Sequence, residues 1–337
     1  MAYSENIIIA NESVLLETHQ PEDILHRDGQ KQVLAECIRP ASSGKRIRNV
    51  FLYGPPGTGK TLLTKWAMSL LEKSANRIKT VYVNCWSRST AYAVFGEILQ
   101  QAEIFVSPRE SMISMVRKFE NAGKSQEKKF VIALDEVDQL ESFEVLYDVS
   151  RSGAGLVCIS NNPYALSSVD DRIKSSLQVE GLEFPAYSAD QMADIIGQRA
   201  KYGLVPNAIS RDDIKIIARL CSGDSRVGIE MLRKAALIAE NENRKKILVE
   251  HIKKAFSEPK FMRKTKLQAR LNDDEMEILK IIRSDNRIIA CRIYELYSRI
   301  VPAPVTERAV RKYLKKFAKL GLIKYEGDVR WREYFAA

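Results

Sequence analysis

The sequence has little histidine, little cysteine and no long apolar run. Its three histidines, His19, His26 and His251, are isolated, and its five cysteines show no C-x-x-C spacing. We therefore expect buried, reduced cysteines and neither a disulfide framework nor a zinc site. No segment approaches the roughly 18 apolar residues of a membrane span, and residues 1–12 lack a signal-peptide pattern. These absences predict a cytoplasmic protein that does not act at a membrane.

The charge is positive and unevenly distributed along the chain. The formal net charge of the 337 residues is +10, from 53 Lys and Arg against 43 Asp and Glu. Residues 264–337 carry 17 of the basic and 10 of the acidic side chains, a net charge of +7, which leaves +3 for the first 263 residues. A basic C-terminal region of this kind predicts a polyanionic partner.

The most informative motif occupies residues 54–61, between the apolar run 49–53 and a helical pattern that begins at Leu62. It matches the phosphate-binding loop, G-x-x-x-x-G-K-[ST], in its strand–loop–helix context. In such a loop the glycines let backbone N–H groups turn towards phosphate oxygens, and the helix start adds a positive dipole end. The motif predicts a site for ATP or ADP. The expected nucleotide contacts are Gly54, Pro55, Gly57, Thr58, Gly59, Lys60, Thr61 and Leu62.

An acidic motif follows the apolar run 130–134, which has the composition of a buried parallel strand. Asp135 and Glu136 come directly after it. We expect Asp135 and the Thr61 hydroxyl to hold Mg²⁺, Lys60 to reach the β- and γ-phosphates, and Glu136 to polarise the attacking water. Two carboxylates at this place favour ATP hydrolysis over simple nucleotide storage.

The order of the apolar runs predicts the domain organisation. Runs at 49–53, 80–84, 130–134, 155–160 and 177–184 have the pattern of strands. Helical patterns separate them, which indicates an α/β domain with a mostly parallel sheet over residues 1–187. Residues 188–257 show amphipathic helices that are expected to begin at Ser188 and Ser210. A polar, basic linker at 258–270 and a last domain at 271–337 follow.

The last domain shows three helical patterns followed by a β-hairpin, the order of a winged helix-turn-helix. Its third helix, from Thr306 to Gly321, carries cations over most of the surface outside its apolar stripe. A lysine-rich helix is also typical of a solvated surface. The apolar stripe of this helix is Val310, Leu314, Phe317 and Leu320.

The hairpin adds further cations, and charge and motif together predict an interface with double-stranded DNA. Lysines in such an interface mainly contact phosphates. Arg308 and Arg311 lie near the helix start and are better placed for base edges. The expected DNA-binding residues are Arg308, Arg311, Lys312, Lys315, Lys316, Lys319, Lys324, Arg330 and Arg332.

The order of these motifs resembles that of the archaeal origin-recognition (Orc/Cdc-type) replication initiators of the AAA+ class. The similarity runs from about residue 21 to the C-terminus. Residues 25–28 are similar to the box that borders the adenine in that family, which implies nucleotide contacts by His26 and Arg27. Residues 82–85 are similar to the family's second strand. Residues 86–105 lie where the family carries a helical insertion that touches DNA, which implies a DNA contact by Arg88.

The resemblance also implies roles around the γ-phosphate. Residues 160–162 resemble sensor 1, with Asn161 orienting the attacking water, and residues 223–226 resemble sensor 2, with Arg226 reaching the γ-phosphate from a helical lid. Related AAA+ machines supply an arginine finger to the neighbouring subunit. Ser176 stands at that position here, and Arg172, one helical turn earlier, is the candidate substitute. A missing finger costs about 10³–10⁵ in rate in other phosphohydrolases, so slow hydrolysis is expected.

Residues and resemblance together predict an ATP- and Mg²⁺-dependent initiator that binds origin duplex DNA and acts as a nucleotide-gated switch. The resemblance implies the replicative helicase and paralogous initiator subunits as further partners, and a location at the nucleoid. Two alternatives stay open. One is a clamp-loader or transposition-helper ATPase, against which the missing Ser-Arg finger counts. The other is a winged-helix transcription regulator, against which Glu136 and Asn161 count.

Overall fold

The computed structural model describes residues 7–74, 77–107, 109–124, 129–167, 169–256, 273–284, 287–301, 304–319, 322–327 and 332–336. The chain divides into two units, Met1–Phe256 and Ser257–Ala337. The predicted linker, 258–270, and the tip of the predicted hairpin, 328–331, lie outside the described residues.

A parallel β-sheet forms the centre of the first unit. Its strands are β1 (Val50–Tyr53), β2 (Ile78–Asn84), β3 (Lys129–Asp135), β4 (Gly155–Ser160) and β5 (Glu180–Glu183). They stand in the order β2-β3-β4-β1-β5, and each neighbouring pair runs parallel. The predicted mostly parallel sheet is confirmed.

Helices cover both faces of this sheet. They are α1 (Asp28–Ile38), α2 (Lys60–Ser74), α3 (Ala91–Gln101), α4 (Met112–Lys124), α5 (Glu144–Arg151) and α6 (Asp171–Leu177). Alternate side chains of β3 enter different cores: Val131 packs with α1 and α2, whereas Ile132 packs with α3, α4 and α5. Burial on both faces explains why this strand is a continuous apolar run. Short 3₁₀ helices lie at Glu12–Leu15, Arg39–Ser43 and Val137–Gln139.

The described chain of the first unit is helical after β5. The helices are α7 (Ala189–Gly203), α8 (Arg211–Leu220), α9 (Ser225–Asn241) and α10, residues 249–256. The Ser188 hydroxyl accepts the Gln191 backbone N–H at 3.2 Å, and the Gln191 side chain accepts the Ser188 N–H at 3.0 Å, a capping box. Ser210 caps α8 in the same way, through the Asp213 N–H. Both predicted helix starts are confirmed.

The N-terminal segment 7–20 packs on these helices. The Glu240 carboxylate of α9 accepts the backbone N–H groups of Ile8 and Ile9 at 2.7 and 2.8 Å. Ile8 and Leu15 are buried in the core that α7, α8 and α9 share. The segment is therefore an integral layer of the helical region.

Helices and a small antiparallel sheet make up the second unit. Its elements are α11 (Asp273–Ser284), β6 (Ile288–Ile289), α12 (Ala290–Ile300), α13 (Glu307–Lys319), β7 (Ile323–Glu326) and β8 (Glu333–Ala336). The strand order is β6-β8-β7. Ile282, Tyr297, Leu314 and Phe317 are buried at its centre. Three helices followed by a hairpin is the order of a winged helix.

Two strands differ from the sequence prediction. The run 177–184 is predicted as one strand, but Leu177 ends α6 and β5 begins at Glu180. Gln178 turns the chain in the left-handed conformation (φ 44°), and Leu177 is buried at the helix end, where an apolar residue fits either state. Strand β6, which pairs with β8, is missed because two residues are too few to form a pattern.

Candidate functional site

The phosphate-binding loop joins β1 to α2, and Lys60 is the first residue of α2. The buried Lys60 ammonium donates to the carbonyl oxygens of Gly54 at 2.8 Å and Pro55 at 2.7 Å. Burial lowers the pKa of Lys60 to about 8, and the nearby Asp135 carboxylate opposes that shift. The loop thus holds a cation where its backbone curves, as a site for the β- and γ-phosphates requires.

The two predicted Mg²⁺ ligands lie side by side. The Thr61 hydroxyl, from the first turn of α2, donates to Asp135 Oδ2, at the end of β3, at 2.6 Å. An oxygen-only pair of a hydroxyl and a carboxylate matches the donor preference of Mg²⁺, which usually retains several waters. The residues present therefore fit Mg²⁺ bound together with a nucleotide.

Glu136 follows Asp135 in the left-handed backbone conformation (φ 55°), and its N–H donates to Asp135 Oδ1 at 2.9 Å. Burial raises the pKa of the Glu136 carboxyl, and the neighbouring Asp135 and Asp138 carboxylates raise it further. A carboxylate whose pKa is raised is a stronger proton acceptor, which suits a group that polarises water.

A cavity of about 380 Å³ opens over the loop. Predicted residues along its wall are Gly57, Thr58, Gly59, Lys60, Thr61, Leu62, Asp135, Glu136, Asn161 and Arg226. Residues that the sequence prediction missed are Glu17, Thr18, His19, Gln20, Lys65, Tyr82, Asn84, Arg199, Ser225 and Ile229. Gly54, Pro55, His26, Arg27 and Arg172 do not line it.

Arg27 and His26 lie outside the cavity wall, and Arg27 contacts the loop. The buried Arg27 guanidinium donates to the carbonyl oxygens of Thr58 at 3.0 Å and Pro185 at 2.7 Å, and it stacks 3.8 Å from the Tyr187 ring centroid. His26 Nε2 lies 3.0 Å from an Asp194 carboxylate oxygen in α7. Arg27 therefore supports the loop through the Thr58 carbonyl without lining the cavity. An adenine contact by either residue stays a prediction.

The segment that resembles sensor 2 touches the loop directly. Ser225 donates to the Gly57 carbonyl oxygen twice, from its hydroxyl at 2.7 Å and from its N–H at 3.1 Å. Asp224 caps α9 by accepting the Arg226 N–H at 3.0 Å. The Arg226 guanidinium lies 3.5 Å from a Glu17 carboxylate oxygen at the cavity wall. Helix α9 is thus joined to the nucleotide loop by hydrogen bonds.

The missed wall residues 17–20 belong to the N-terminal segment. Arg199 of α7, which is buried, donates to the carbonyl oxygens of Val14 at 3.0 Å and His19 at 3.3 Å and so fixes this segment at the cavity. No sequence signal marks these residues, because backbone carbonyls accept these bonds whatever the side chain.

Of the remaining predicted catalytic residues, Asn161 lines the cavity and Arg172 does not. Asn161 is the first residue after β4 and reaches the wall. Arg172 is exposed in the first turn of α6 and lies outside the wall. Ser176, at the predicted finger position, is half-buried, with its hydroxyl 3.0 Å from that of Ser150.

The second unit presents a basic surface on α13 and β7. Arg308, Lys312, Lys315 and Lys324 are exposed there. Arg311 is exposed and donates to Glu307 at 2.8 Å, and the Arg332 guanidinium stacks 4.3 Å from the Tyr325 ring centroid. The side chains of Lys319 and Arg330 lie outside the described residues. In the first unit, the predicted contact Arg88 is exposed, 3.6 Å from a Glu97 carboxylate oxygen.

Lys316 differs from the expectation of a DNA contact. Its ammonium donates to both carboxylate oxygens of Glu275 in α11, at 2.7 and 2.8 Å, and the Glu275 side chain is only 3% exposed. The buried carboxylate holds this cation within the unit. Helical spacing places Lys316 on a mixed face of α13, but it cannot show that an acid from another helix lies opposite.

A phosphate-binding loop on a parallel sheet, carboxylates at the end of another strand and a helical lid over the same cavity define an AAA+ ATPase. Family models match the chain in the same places, an AAA domain at residues 45–160 and a Cdc6 AAA+ ATPase-type lid domain at residues 193–257. The ORC1-type DNA replication protein 2 of Methanosarcina mazei is 34% identical over 304 residues, 86% of this chain and 81% of the relative. The chain belongs to the family of the ORC1-type DNA replication proteins.

Solved structures agree with this fold. The Aeropyrum pernix ORC1 protein, determined in complex with DNA, superimposes with a TM-score of 0.84 at 28% identity, over 98% of this chain and 94% of that one. The Aeropyrum pernix ORC2 protein, determined as ADPNP-ADP complexes, shares the fold with a TM-score of 0.67 at 21% identity, over 98% and 94% of the two chains. None of the helices in the described residues is both long and apolar enough to cross a membrane.

A substitution at Gly57 tests the joint between the loop and the helical lid (α7–α10), which consists of the hydrogen bonds from Ser225 to Gly57. Gly57 has φ 71°, and a Cβ there would lie 1.9 Å from Asp224 Oδ1. Left-handed alanine costs about 1–2 kcal/mol, and the clash costs about 1–3 kcal/mol more. We expect Gly57→Ala to weaken binding of a fluorescent ATP analogue at least about tenfold, since 1.4 kcal/mol corresponds to tenfold.

Gly153→Ala is the matched control. Gly153 has a similar φ of 83°, but a Cβ there meets no atom within 4 Å. This variant should lower the thermal unfolding midpoint and leave nucleotide affinity unchanged. Wild-type nucleotide affinity in Gly57→Ala would show that the joint does not support the site.

The Lys316–Glu275 pair predicts a local stability effect. Breaking a fully buried ion pair costs about 3–5 kcal/mol. Because the Lys316 side chain is 42% exposed, we expect Lys316→Met to destabilise the second unit by about 1–3 kcal/mol. Hydrogen exchange of the full chain should show faster exchange in α11 and α13. Lys312→Met, on the exposed face of the same helix, should leave that exchange unchanged, and equal exchange in both variants would contradict a structural role for Lys316.

Proposed function

We propose that this protein is an ATP-dependent replication initiator that binds origin duplex DNA through its winged helix. Slow ATP hydrolysis switches the protein between its ATP-bound and ADP-bound states. The protein acts together with paralogous initiator subunits and helps to recruit the replicative helicase. Lys60 and the loop backbone hold the phosphates, and Thr61 and Asp135 hold Mg²⁺, which would neutralise charge that develops on the γ-phosphate. Glu136 and Asn161 orient the attacking water.

The proposal of a nucleotide-dependent switch rests on the two hydrogen bonds from Ser225 to the Gly57 carbonyl oxygen, at 2.7 and 3.1 Å. Arg226 follows directly and lies at the same cavity. A γ-phosphate would therefore be contacted by the loop and by the lid at once, and its loss would remove the contact to Arg226. A ligand shifts an equilibrium only by its differential affinity for the two states, and this contact supplies the difference.

Slow turnover follows from the chain around the predicted finger position. Ser176 cannot supply positive charge, and Arg172 is the exposed cation one turn earlier. We assign Arg172 to a neighbouring subunit's γ-phosphate, because it lies outside its own cavity. An arginine one helical turn away from the usual finger position is an inefficient substitute, so ATP stays bound for long periods, as a switch requires.

The DNA interface is assigned to the exposed basic residues of α13 and of the hairpin formed by β7 and β8, the wing. Arg308 and Arg311, near the start of α13, would contact base edges, and Lys312, Lys315 and Lys324 would contact phosphates. The likeness to the ORC1 protein determined in complex with DNA supports this assignment. Arg332, Lys319 and Arg330 complete the proposed interface of the second unit. Arg88 is proposed as a separate DNA contact of the first unit.

The experiment that tests this function is a genome-wide pull-down. Purified protein with ATP is mixed with sheared DNA of its own organism at physiological salt, where nonspecific phosphate binding is weak, and retained fragments are sequenced. Sharp peaks at replication start loci are expected. Peaks at scattered promoters would favour a transcription regulator, and even coverage would favour a clamp-loader or transposition-helper ATPase.

Removal of the loop cation predicts a loss of nucleotide control. Charged hydrogen bonds contribute about 1.5–3 kcal/mol, so Lys60→Ala should weaken ATP binding at least about tenfold and abolish any effect of ATP on DNA binding. Isothermal titration and DNA binding with and without ATP measure both. Lys73→Ala, an exposed lysine at the other end of α2, is the control. ATP-dependent DNA binding by Lys60→Ala would contradict the site assignment.

Removal of two exposed lysines of α13 predicts a change in salt dependence. Each phosphate contact contributes about 0.9 to the slope of log affinity against log salt. Lys312→Ala combined with Lys315→Ala should therefore weaken duplex binding on all sequences and lower the slope by about 2. Lys245→Ala with Lys246→Ala, exposed in the first unit, is the charge-matched control. Equal slopes for the two double variants would contradict the assigned interface.

A further inference from the structure

Tyr82 of β2 contacts the same carboxylate that is assigned to Mg²⁺. Its hydroxyl donates to Asp135 Oδ2 at 2.8 Å. The same oxygen accepts the Thr61 hydroxyl at 2.6 Å. Tyr82 also lines the cavity, although the proposed function gives it no role.

The hydrogen bonds of Asp135 leave room for one further donor. A carboxylate offers about four lone-pair directions. Oδ2 is occupied by Thr61 and Tyr82, and Oδ1 accepts the Glu136 N–H at 2.9 Å. The remaining direction, on Oδ1, suits a metal-bound water. Without the Tyr82 hydroxyl, Oδ2 would regain a lone pair and the carboxylate could rotate about its Cβ–Cγ bond.

The Tyr82 backbone is fixed on both sides, and Lys65 contacts its ring. The Tyr82 backbone binds the Gln101 side chain of α3 on one side, with its N–H donating at 3.1 Å and its carbonyl accepting at 2.9 Å. On the other side it belongs to the ladder with β3, opposite Ala133. The Lys65 ammonium lies 4.2 Å from the ring centroid, within the range of a cation–π contact. A donor fixed in this way can set the orientation of its acceptor.

We propose that Tyr82 is a positioning residue that orients Asp135 for Mg²⁺ bound with ATP. The inference rests on the proposed function, because it takes Thr61 and Asp135 as the Mg²⁺ site. Tyr82 contacts neither the metal nor the nucleotide in this role. It acts through one carboxylate oxygen, and Lys65 acts on Tyr82 in turn.

The test compares nucleotide binding with Mg²⁺ and with EDTA in the full chain. Loss of a residue that orients a metal ligand typically costs about 10–100-fold in metal affinity. Tyr82→Phe should therefore weaken the Mg²⁺ affinity of the ATP complex at least about tenfold, measured by titrating Mg²⁺ into protein with a fluorescent ATP analogue. ATP affinity in EDTA should equal that of the wild type, because the phosphate contacts of the loop are untouched.

Tyr53→Phe is the matched control. Tyr53 is a half-buried tyrosine at the end of β1, the same edge of the sheet, and packs on Phe51. This variant should keep wild-type Mg²⁺ dependence. Wild-type Mg²⁺ affinity in Tyr82→Phe would overturn the positioning role, and so would an equal loss with Mg²⁺ and EDTA, which a general packing defect would produce. If the wild-type protein itself binds ATP without any Mg²⁺ dependence, the Mg²⁺ site of the proposed function fails as well.

Discussion

The hydrogen bonds between the Gly57 carbonyl oxygen and Ser225 are the interaction on which the nucleotide unit depends. They join the loop that would hold the phosphates to the first turn of α9, which carries Arg226. A glycine is required there because a Cβ would lie 1.9 Å from Asp224 Oδ1. Since loop and lid share these bonds, a ligand that stabilises one arrangement of the loop stabilises one arrangement of the lid. Such coupling is reciprocal: if the nucleotide changes a partner's affinity for the lid by some factor, the partner changes nucleotide affinity by the same factor.

Arg27 makes a second contact between the loop and the start of the lid. Its guanidinium binds the Thr58 and Pro185 carbonyl oxygens and stacks on Tyr187, so the loop and the start of the lid rest on one buried cation. Burying a charge is costly unless hydrogen bonds compensate, and burial accordingly lowers the pKa of Arg27. The two carbonyl groups supply that compensation here. The loop is therefore joined to the start of the lid at Arg27 as well as at Ser225.

The sequence predicts whatever is local, and it fails where side chains far apart in the chain meet. The loop at 54–61 and the strand before Asp135 carry their own patterns, and the helix starts at Ser188 and Ser210 carry capping signals. The contact of Tyr82 is not predicted, because a tyrosine in an apolar strand is equally typical of a core residue. Its partner, Asp135, is 53 residues away in the chain. Lys316 resembled its exposed neighbours, since its acid, Glu275, lies on another helix, 41 residues earlier. Arg199 binds backbone carbonyl oxygens, and such contacts cannot be predicted from the side chains of the residues that accept them.

The nucleotide site and α13 place their charges in opposite ways, and this separates their responses to salt. At the nucleotide site Lys60, Asp135 and Arg27 are buried, and salt screens buried charges much less than exposed ones. On α13 the cations Arg308, Lys312 and Lys315 are exposed, so salt screens them within about 8–10 Å. Lys316 is also partly exposed, but it pairs with the buried Glu275 carboxylate. Ionic strength should therefore weaken contact with a polyanion while it leaves the nucleotide site nearly unchanged. An effect of ATP on DNA affinity that persists across salt concentrations would therefore not be a screening effect, and the hydrogen bonds between loop and lid are the contact that we propose for it.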